Sequence, residues 1–334
     1  MDSPWNPIEY ALLNEFQRNF PLTPRPYADI AKTIGSGETE VIATLSRLQK
    51  RGAISRIGAV LAPNRVGAST LAALQAPPQR LEDIAARVSA RDAVNHNYQR
   101  EHAWNLWFVA TAANAEMLAA TLRAIEADTG CAVISLPLVE EYHIDLGFDL
   151  RGGHRQGAQA ARAPAPRAPS AIERRLMRAL QDGLALVERP YAELAACAGI
   201  ASEAQAIEWL NAWSDEGLVK RFGVVVRHHE LGFRANAMVV YDVADAAIAQ
   251  IGRQLAREDG VTLCYQRRRC LPHWRYNLYC MVHGRTRDVV APVIERLDRI
   301  VGSAGLALFS TRRFKQCGAR YFSEPAAEKA VAHA

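Results

Sequence analysis

The chain has 334 residues, of which 49% are hydrophobic and 22% are charged, an ordinary composition for a protein that folds into two or three domains. No apolar stretch approaches the length of a membrane span, and residues 1–20 lack the basic start and apolar run of a secretory signal. We therefore expect a cytoplasmic protein without membrane contact. The six cysteines include no CxxC pair, so we expect neither a metal site nor a redox disulfide.

The formal net charge of +5 is unevenly distributed. Residues 151–169 contain four arginines and no acid, so this segment accounts for +4 of the total. Because it is rich in Gly, Ala and Pro and has no large apolar residue, it is predicted to be a flexible linker. The rest of the chain is close to neutral, which argues against a broad nucleic-acid-binding surface.

The first half of the chain predicts a helical unit followed by a mixed unit. Apolar spacing indicates a helix over residues 8–20, and two short helices over 27–33 and 38–51 flank a Gly-containing turn, which is a helix-turn-helix pattern. Residues 52–61 alternate as expected of a short hairpin or wing. A βαββαβ order typical of a ferredoxin-like domain follows, with elements predicted over 68–76, 81–89, 93–100, 105–111, 115–128 and 133–138.

The second half repeats this order. Helices are predicted over 171–182, 190–196 and 203–213, a wing over 217–227, and the βαββαβ elements over 235–241, 246–257, 261–267, 276–282, 287–301 and 307–310. Sequence matches support the repeat: residues 26–31 with 190–195, 52–58 with 217–223, and 98–100 with 265–267. The predicted fold is therefore α+β, with two tandem copies of one unit.

These elements predict six segments along the chain. The segments are a winged helix-turn-helix over 1–62, a ferredoxin-like domain over 63–150, the linker over 151–169, a second winged helix-turn-helix over 170–228, a second ferredoxin-like domain over 229–323, and a tail over 324–334. If the two ferredoxin-like domains pair with each other, the single chain forms an internal pseudo-dimer, and further homo-oligomerisation stays open.

One polar stretch, residues 95–108, carries unusual chemistry for a strand. His96, Tyr98, Arg100 and His102 share one parity, so on an extended chain their side chains face one side. Two imidazoles, a phenol and a guanidinium make poor core material because each needs a buried partner. They are suited to binding and protonating an anion.

The motifs of this chain resemble those of a known group. The helix-turn-helix with a ferredoxin-like domain is similar to the Lrp/AsnC regulators over roughly 8–150 and 170–323. Within that group, His96 to His102 with Asn105 to Phe108, and the segments at 264–267, 276–278, 281–284 and 310–315, resemble the siroheme decarboxylases. Two fused copies resemble the single-chain form linked to haem d1 synthesis in denitrifying bacteria.

That resemblance implies a carboxy-lyase whose partner is siroheme, an iron tetrapyrrole with eight carboxylates. The implied reaction removes the acetate carboxyls at C12 and C18, giving 12,18-didecarboxysiroheme and CO2. The carbanion left by each loss must be protonated, which is chemistry for an imidazole or a phenol near neutral pH. Because the macrocycle can itself accept the electron pair, we expect no pyridoxal, thiamine or other cofactor.

The resemblance and the residues together nominate a set of site residues. The candidate catalytic residues are His96, His102, His283 and Tyr98; the candidate substrate-binding residues are Arg100, Trp107, His143, Tyr265, Arg267, Arg275 and Arg312. One histidine could instead be an axial iron ligand. Since the copies have diverged, we hypothesise two unlike pockets, one holding the acids and the other supplying mainly arginines.

Two other functions compete with decarboxylation. A Lrp/AsnC-type regulator would bind DNA, but the second helix of each helix-turn-helix begins with acids, Glu38 and Glu40 in one copy and Glu203 in the other, which repel phosphate. DNA is therefore an unlikely partner. A haem-responsive sensor would bind a tetrapyrrole without releasing CO2, and the sequence leaves this alternative open.

Overall fold

The computed structural model describes residues 4–144, 165, 167–227 and 230–322. Most of the predicted linker and the whole predicted tail over 324–334 lie outside these residues. Across the described residues, no helix has both the length and the apolar character needed to cross a membrane.

Each half of the chain begins with three helices. In the first copy these helices are α1 (Pro7–Asn14), α2 (Pro26–Ile34) and α3 (Glu38–Lys50). Strand β1 (Ile54–Leu61) follows them. A proline at the first helical position starts α2, and Gly35 in the left-handed conformation ends it, so the turn before α3 is encoded locally. The helices pack on one apolar core that also includes the helices of the second copy.

The ferredoxin-like elements of the first copy then follow in the predicted order. They are β2 (Ala68–Leu74), α4 (Leu81–Ala90), β3 (Val94–Arg100), β4 (Leu106–Ala112), α5 (Ala115–Thr129) and β5 (Val133–Ile144). The second copy comprises α6 (Ala171–Ala179), α7 (Pro190–Ala198), α8 (Glu203–Asp215), β6 (Val219–Val226), β7 (Ala235–Tyr241), α9 (Ile248–Leu255), β8 (Val261–Arg267), β9 (Leu278–Gly284), α10 (Arg287–Val301) and β10 (Leu306–Gln316). The tandem α+β fold is thus confirmed.

The wings differ from the prediction. Among the described residues neither wing forms a hairpin; instead β1 pairs antiparallel with β6 of the other copy, with Gly58 opposite Gly223 at the centre. These glycines are equivalent in the repeat, so the pair straddles the pseudo-two-fold axis. The prediction of a local hairpin was wrong because alternation shows that a segment is extended and not which strand will pair with it.

The two ferredoxin-like domains close into one eight-stranded barrel in the order β10-β3-β4-β2-β5-β8-β9-β7. Two seams join the copies: β5 pairs with β8, and β10 pairs with β3. The fourth strand of each copy is longer than predicted, reaching residues 144 and 316, because its polar second half pairs with the other copy. This pairing confirms the pseudo-dimer.

The barrel wall separates two kinds of core. Its outer face packs against α4 and α5 in one copy and α9 and α10 in the other. Its inner face carries a separate apolar cluster that includes Trp104, Trp107, Trp274 and Tyr279. The rings of Trp107 and Trp274 meet edge-on with centroids 5.1 Å apart. Aromatics therefore fill part of the barrel interior, and the remaining space faces the wings.

Candidate active site

A cavity of about 410 Å³ lies between the paired wings and the barrel interior. Its walls come from β1 and β6 of the wings, from all eight strands of the barrel, from α6, and from residues 317–321 after β10. Both copies thus surround a single space. This corrects the hypothesis of two unlike pockets, because strand pairing across the copies brings their functional side chains into the same cavity.

The lining of this cavity is strongly cationic. Among the described residues it includes no aspartate or glutamate, and its four arginines are Arg56, Arg100, Arg221 and Arg267. Buried cations are costly unless negative charge balances them, since each loses its hydration. The cavity is therefore built for an anion that carries several negative charges.

His96 lies deep in the cavity wall on β3. Its Nδ1 is 2.7 Å from Oδ1 of Asn95, so Nδ1–H donates to the amide oxygen and Nε2 is the nitrogen left to interact with a ligand. Burial, with a smaller contribution from the charge of Arg56, lowers the pKa of His96 to about 4. In this protein environment the imidazole is therefore neutral at physiological pH.

His283 enters the cavity from β9 of the second copy. Its Nδ1 is 2.9 Å from the hydroxyl of Thr262, and this hydroxyl lies 3.1 Å from the carbonyl of Met281 and donates to it. The hydroxyl oxygen is then the acceptor for Nδ1–H of His283. Both histidines are consequently held through Nδ1, by residues at equivalent positions of the repeat, Asn95 and Thr262.

The two histidines themselves do not occupy equivalent positions. Leu263 stands at the position of His96 in the repeat, and Thr111 stands at that of His283. Each copy has thus kept one imidazole on a different strand, and all four positions line the same cavity. The cavity is cationic throughout but asymmetric in its proton-transfer groups.

Tyr98 and Tyr265 line the cavity beside Arg100 and Arg267, respectively. The guanidinium carbon of Arg100 lies 5.9 Å from the ring centroid of Tyr98, and that of Arg267 lies 5.2 Å from that of Tyr265. Burial is the largest influence on each phenol and raises its pKa, although the adjacent guanidinium opposes the effect. Both phenols therefore stay protonated near neutral pH and can donate hydrogen bonds.

Arg100 and Arg267 also join the two copies. Nη1 of Arg100 donates to the carbonyl of Leu308 at 2.7 Å, and Nη1 of Arg267 donates to that of Leu136 at 2.9 Å. Each carbonyl belongs to the fourth strand of the opposite copy. Burial lowers the pKa of Arg100 to about 10, which leaves the group charged at neutral pH.

The structure brings seven of the eleven predicted site residues to the cavity. They are His96, Tyr98, Arg100, Trp107, Tyr265, Arg267 and His283. Their roles in catalysis or binding stay predictions, since placement alone does not test them.

The other four predicted site residues lie outside the cavity lining. The parity argument fails for His102 because β3 ends at Arg100, where the chain turns and the amide of His102 donates to the Arg100 carbonyl. The ring of His102 instead contacts that of Trp274, 5.6 Å away. His143 lies opposite Cys264 in the seam between β5 and β8.

Arg275 and Arg312 face solvent. Arg275 lies in the segment between β8 and β9, with its guanidinium 5.5 Å from the ring of Tyr276. Arg312 turns to the outside of the barrel, where it forms an ion pair with Glu82 of α4. A basic stretch in the sequence cannot show which of its arginines turn inward, and these two turn outward.

Two cavity residues, Arg56 and Arg221, were not nominated from the sequence. They lie on the wing strands β1 and β6, at equivalent positions of the repeat. The matching segments at 52–58 and 217–223 already placed an arginine in each wing. The shared position of Arg56 and Arg221 in these segments is the signal that identifies them, whereas a helix-turn-helix pattern alone does not.

Family models match most of the chain. The model for the AsnC-like ligand binding domain matches residues 65–143 and 230–315. The model for the siroheme decarboxylase NirDL-like HTH domain matches residues 9–54 and 173–219. Each half of the chain therefore matches both models, in the order helix-turn-helix and then ligand-binding domain.

Curated relatives are similar over nearly their full length. The siroheme decarboxylase NirDL subunit of Paracoccus denitrificans (strain Pd 1222) is 47% identical over 317 residues, covering 93% of this chain and 96% of the relative. The siroheme decarboxylase of Hydrogenobacter thermophilus is 31% identical over 317 residues, covering 94% of each.

Solved structures give the same result. The crystal structure of the siroheme decarboxylase NirDL superposes with a TM-score of 0.69 at 28% identity, covering 98% of this chain and 100% of that one. A co-complex of NirDL with an iron-uroporphyrin III analogue superposes with a TM-score of 0.68 at 29% identity, covering 96% and 95%.

Proposed function

Because this chain belongs to the siroheme decarboxylase NirDL family, we propose that it removes the acetate carboxyls at C12 and C18 of siroheme, in the synthesis of haem d1. The products are 12,18-didecarboxysiroheme and two molecules of CO2. The reaction class is that of a carboxy-lyase.

The observation that carries this proposal is the charge of the cavity. Four arginines and no acid line it within the described part of the chain. Siroheme has eight carboxylates around a flat macrocycle, and forked guanidiniums are the groups best suited to bind them. Apolar and aromatic wall residues, including Trp107, Tyr279 and Met238, offer surface for the ring itself.

The reaction needs an electron sink and a proton. When the bond between an acetate CH2 and its carboxylate breaks, CO2 leaves and the electron pair stays on the methylene carbon next to a pyrrole. The conjugated macrocycle delocalises this pair, so we propose that the enzyme needs no organic cofactor. Protonation of the carbon then gives a methyl group.

We propose His96 and His283 as the proton-transfer groups for the two losses of CO2. Both line the cavity, and Nδ1 of each is bonded to a neighbouring side chain, so we assign proton exchange to Nε2. The low pKa of His96 in the protein alone means that this imidazole carries no proton to give until substrate binds. Carboxylates bound beside it favour the imidazolium, so binding itself makes His96 an acid.

The neighbouring groups support this chemistry without transferring a proton. Tyr98 and Tyr265 stay protonated and can donate hydrogen bonds to bound carboxylates. The wings and residues 316–321 line the cavity together with the barrel, so a ligand bound between them loses contact with water. Loss of water around a departing carboxylate favours its conversion to neutral CO2.

Anaerobic incubation of the purified protein with siroheme, followed by mass spectrometry of the tetrapyrrole, tests this function. A mass loss equal to two CO2 molecules is the expected result. An unchanged tetrapyrrole that co-elutes with the protein would reject decarboxylation and support the sensor alternative.

We also propose that the helix-turn-helix units do not bind DNA. Glu38 and Glu203, at the starts of α3 and α8, form ion pairs with Arg25 and Arg189. Acids therefore occupy the helix ends that would approach phosphate, and β1 and β6 are engaged with each other. A gel shift of promoter DNA by micromolar protein at physiological salt would reject this proposal.

A further inference from the structure

We propose that the wings supply the residues that select a carboxylate-rich tetrapyrrole: Arg56 and Arg221, one from each copy, bind carboxylates at the edge of the ligand. The proposal rests on the proposed function for the identity of the ligand. It gives the paired wings a role in substrate recognition, in place of the DNA contact that wings usually make.

The pairing of β1 with β6 fixes the positions of both arginines. Arg56 lies opposite Val225 and Arg221 lies opposite Val60, so the two arginines flank the central pair of glycines at equal register. Ile57, the residue after Arg56, packs into the helical core. Because side chains alternate along a strand, Arg56 faces the opposite side. That side is the cavity.

The guanidinium of Arg56 has a hydrogen-bond donor without a partner. Its Nη2 donates to the carbonyl of Ala59 at 3.0 Å, whereas its buried Nε has no hydrogen-bond partner. Within the described part of the chain, no carboxylate lies within ion-pair distance of it. Its guanidinium lies against Gly318, where an added Cβ would come within 2.9 Å of the guanidinium carbon. The guanidinium of Arg56 is therefore held in place, while its positive charge and its Nε–H can interact with a bound carboxylate.

Arg221 increases the positive potential at this end of the cavity. Burial, with smaller contributions from the nearby charges of Arg18 and Arg56, lowers its pKa to about 9. Like charges held close together in a buried space repel one another, and incoming carboxylates relieve that repulsion. The wing end of the cavity therefore favours a bound anion.

Arg100 and Arg267 line the same cavity from the barrel wall and, like Arg56, have a buried Nε without a hydrogen-bond partner. Each donates from Nη1 to a backbone carbonyl across the seam and contacts a tyrosine ring. These contacts hold them in the barrel wall and stabilise the pairing of the copies. Arg56 bonds instead to a carbonyl of its own strand and joins no seam of the barrel, so we assign recognition of peripheral carboxylates to the wings.

Ligands with different numbers of carboxylates test the proposal. The full chain and its Arg56→Met, Arg221→Met and double variants are titrated with iron uroporphyrin III, which has eight carboxylates, and with haem, which has two, following the Soret absorbance. Arg87→Met is the matched control, since Arg87 is an exposed arginine that pairs with Asp83 on α4. Thermal unfolding of every variant verifies folding.

Each single variant is expected to bind iron uroporphyrin III about tenfold to a hundredfold more weakly, as for loss of a hydrogen bond between charged groups. Its affinity for haem is expected to change less than threefold, and Arg87→Met is expected to bind both ligands like the wild type. Equal losses for both ligands, or wild-type affinity for iron uroporphyrin III, would overturn the proposal. CO2 release from siroheme is measured separately on the wild type, so failure of the wing proposal is distinguishable from failure of the proposed function.

Discussion

Replacement of His96 by glutamine tests whether this imidazole is buried in its neutral form. Burial and the charge of Arg56 lower its pKa from 6.5 to about 4. Between those values the unfolded chain binds more protons than the folded protein. The free energy of unfolding therefore falls as the pH falls from 6.5 towards 4, and the contribution of His96 is fully present above that window.

The size of this effect follows from the two pKa values. Lowering the pH from 7 to 5 protonates the imidazole in the unfolded chain but hardly at all in the folded protein. This single group then removes about 2 kcal/mol from the free energy of unfolding. His96→Gln abolishes that term, so the variant is expected to lose about 2 kcal/mol less than the wild type over the same change of pH.

Urea denaturation at pH 7 and pH 5, monitored by tryptophan fluorescence, measures the difference. His273→Gln is the matched control, because it removes an exposed imidazole outside the cavity and is expected to keep the wild-type loss. If His96→Gln lost as much stability as the wild type between pH 7 and pH 5, His96 would not be a buried neutral base. The proposed uptake of a proton on substrate binding would then lose its basis.

Three further predictions concern activity and packing. His96→Ala and His283→Ala, made separately, are each expected to slow CO2 release about a hundredfold or more, as for loss of a general acid. Mass spectrometry of the tetrapyrrole measures the turnover. Wild-type turnover by either variant would remove that histidine from the mechanism. Trp107→Ala is expected to lower the free energy of unfolding by about 3–5 kcal/mol, because Trp107 is 2% exposed inside the barrel; urea denaturation checks this value, and a loss under 1 kcal/mol would contradict the packing. Gly223→Ala is expected to destabilise the protein by about 1–3 kcal/mol or more, since the added Cβ would lie 2.4 Å from the carbonyl oxygen of Gln17. A Cβ added at its repeat partner Gly58 would meet no atom closer than 3.6 Å. Equal melting temperatures of Gly223→Ala and Gly58→Ala would contradict this asymmetry.

Much of the fold was predictable from local patterns. Helical spacing, the glycine turns and the repeated βαββαβ order determine most helices and strands, and β7, β8 and α10 begin and end at the predicted residues. The repeat also predicted the pseudo-dimer. These features depend on short-range periodicity, which a single sequence carries in full.

Part of the site was predictable for the same reason. His96, Tyr98 and Arg100 alternate on one strand, so their common face followed from parity, and all three line the cavity. The prediction that His102 shares this face was wrong, because side chains alternate only within a strand and β3 ends at Arg100. The sequence marks that boundary poorly, since polar residues lie on both sides of it.

Only the tertiary structure decided which faces meet across the two copies. The pairing of β1 with β6, the seams of the barrel, and the joining of His96 and His283 in one cavity all depend on strand register between distant segments. The inward turn of Arg56 and Arg221 and the outward turn of Arg312 depend on it as well. Local periodicity determines which residues share a face, whereas the partner of that face is selected by the total free energy of packing and hydrogen bonding over the whole chain.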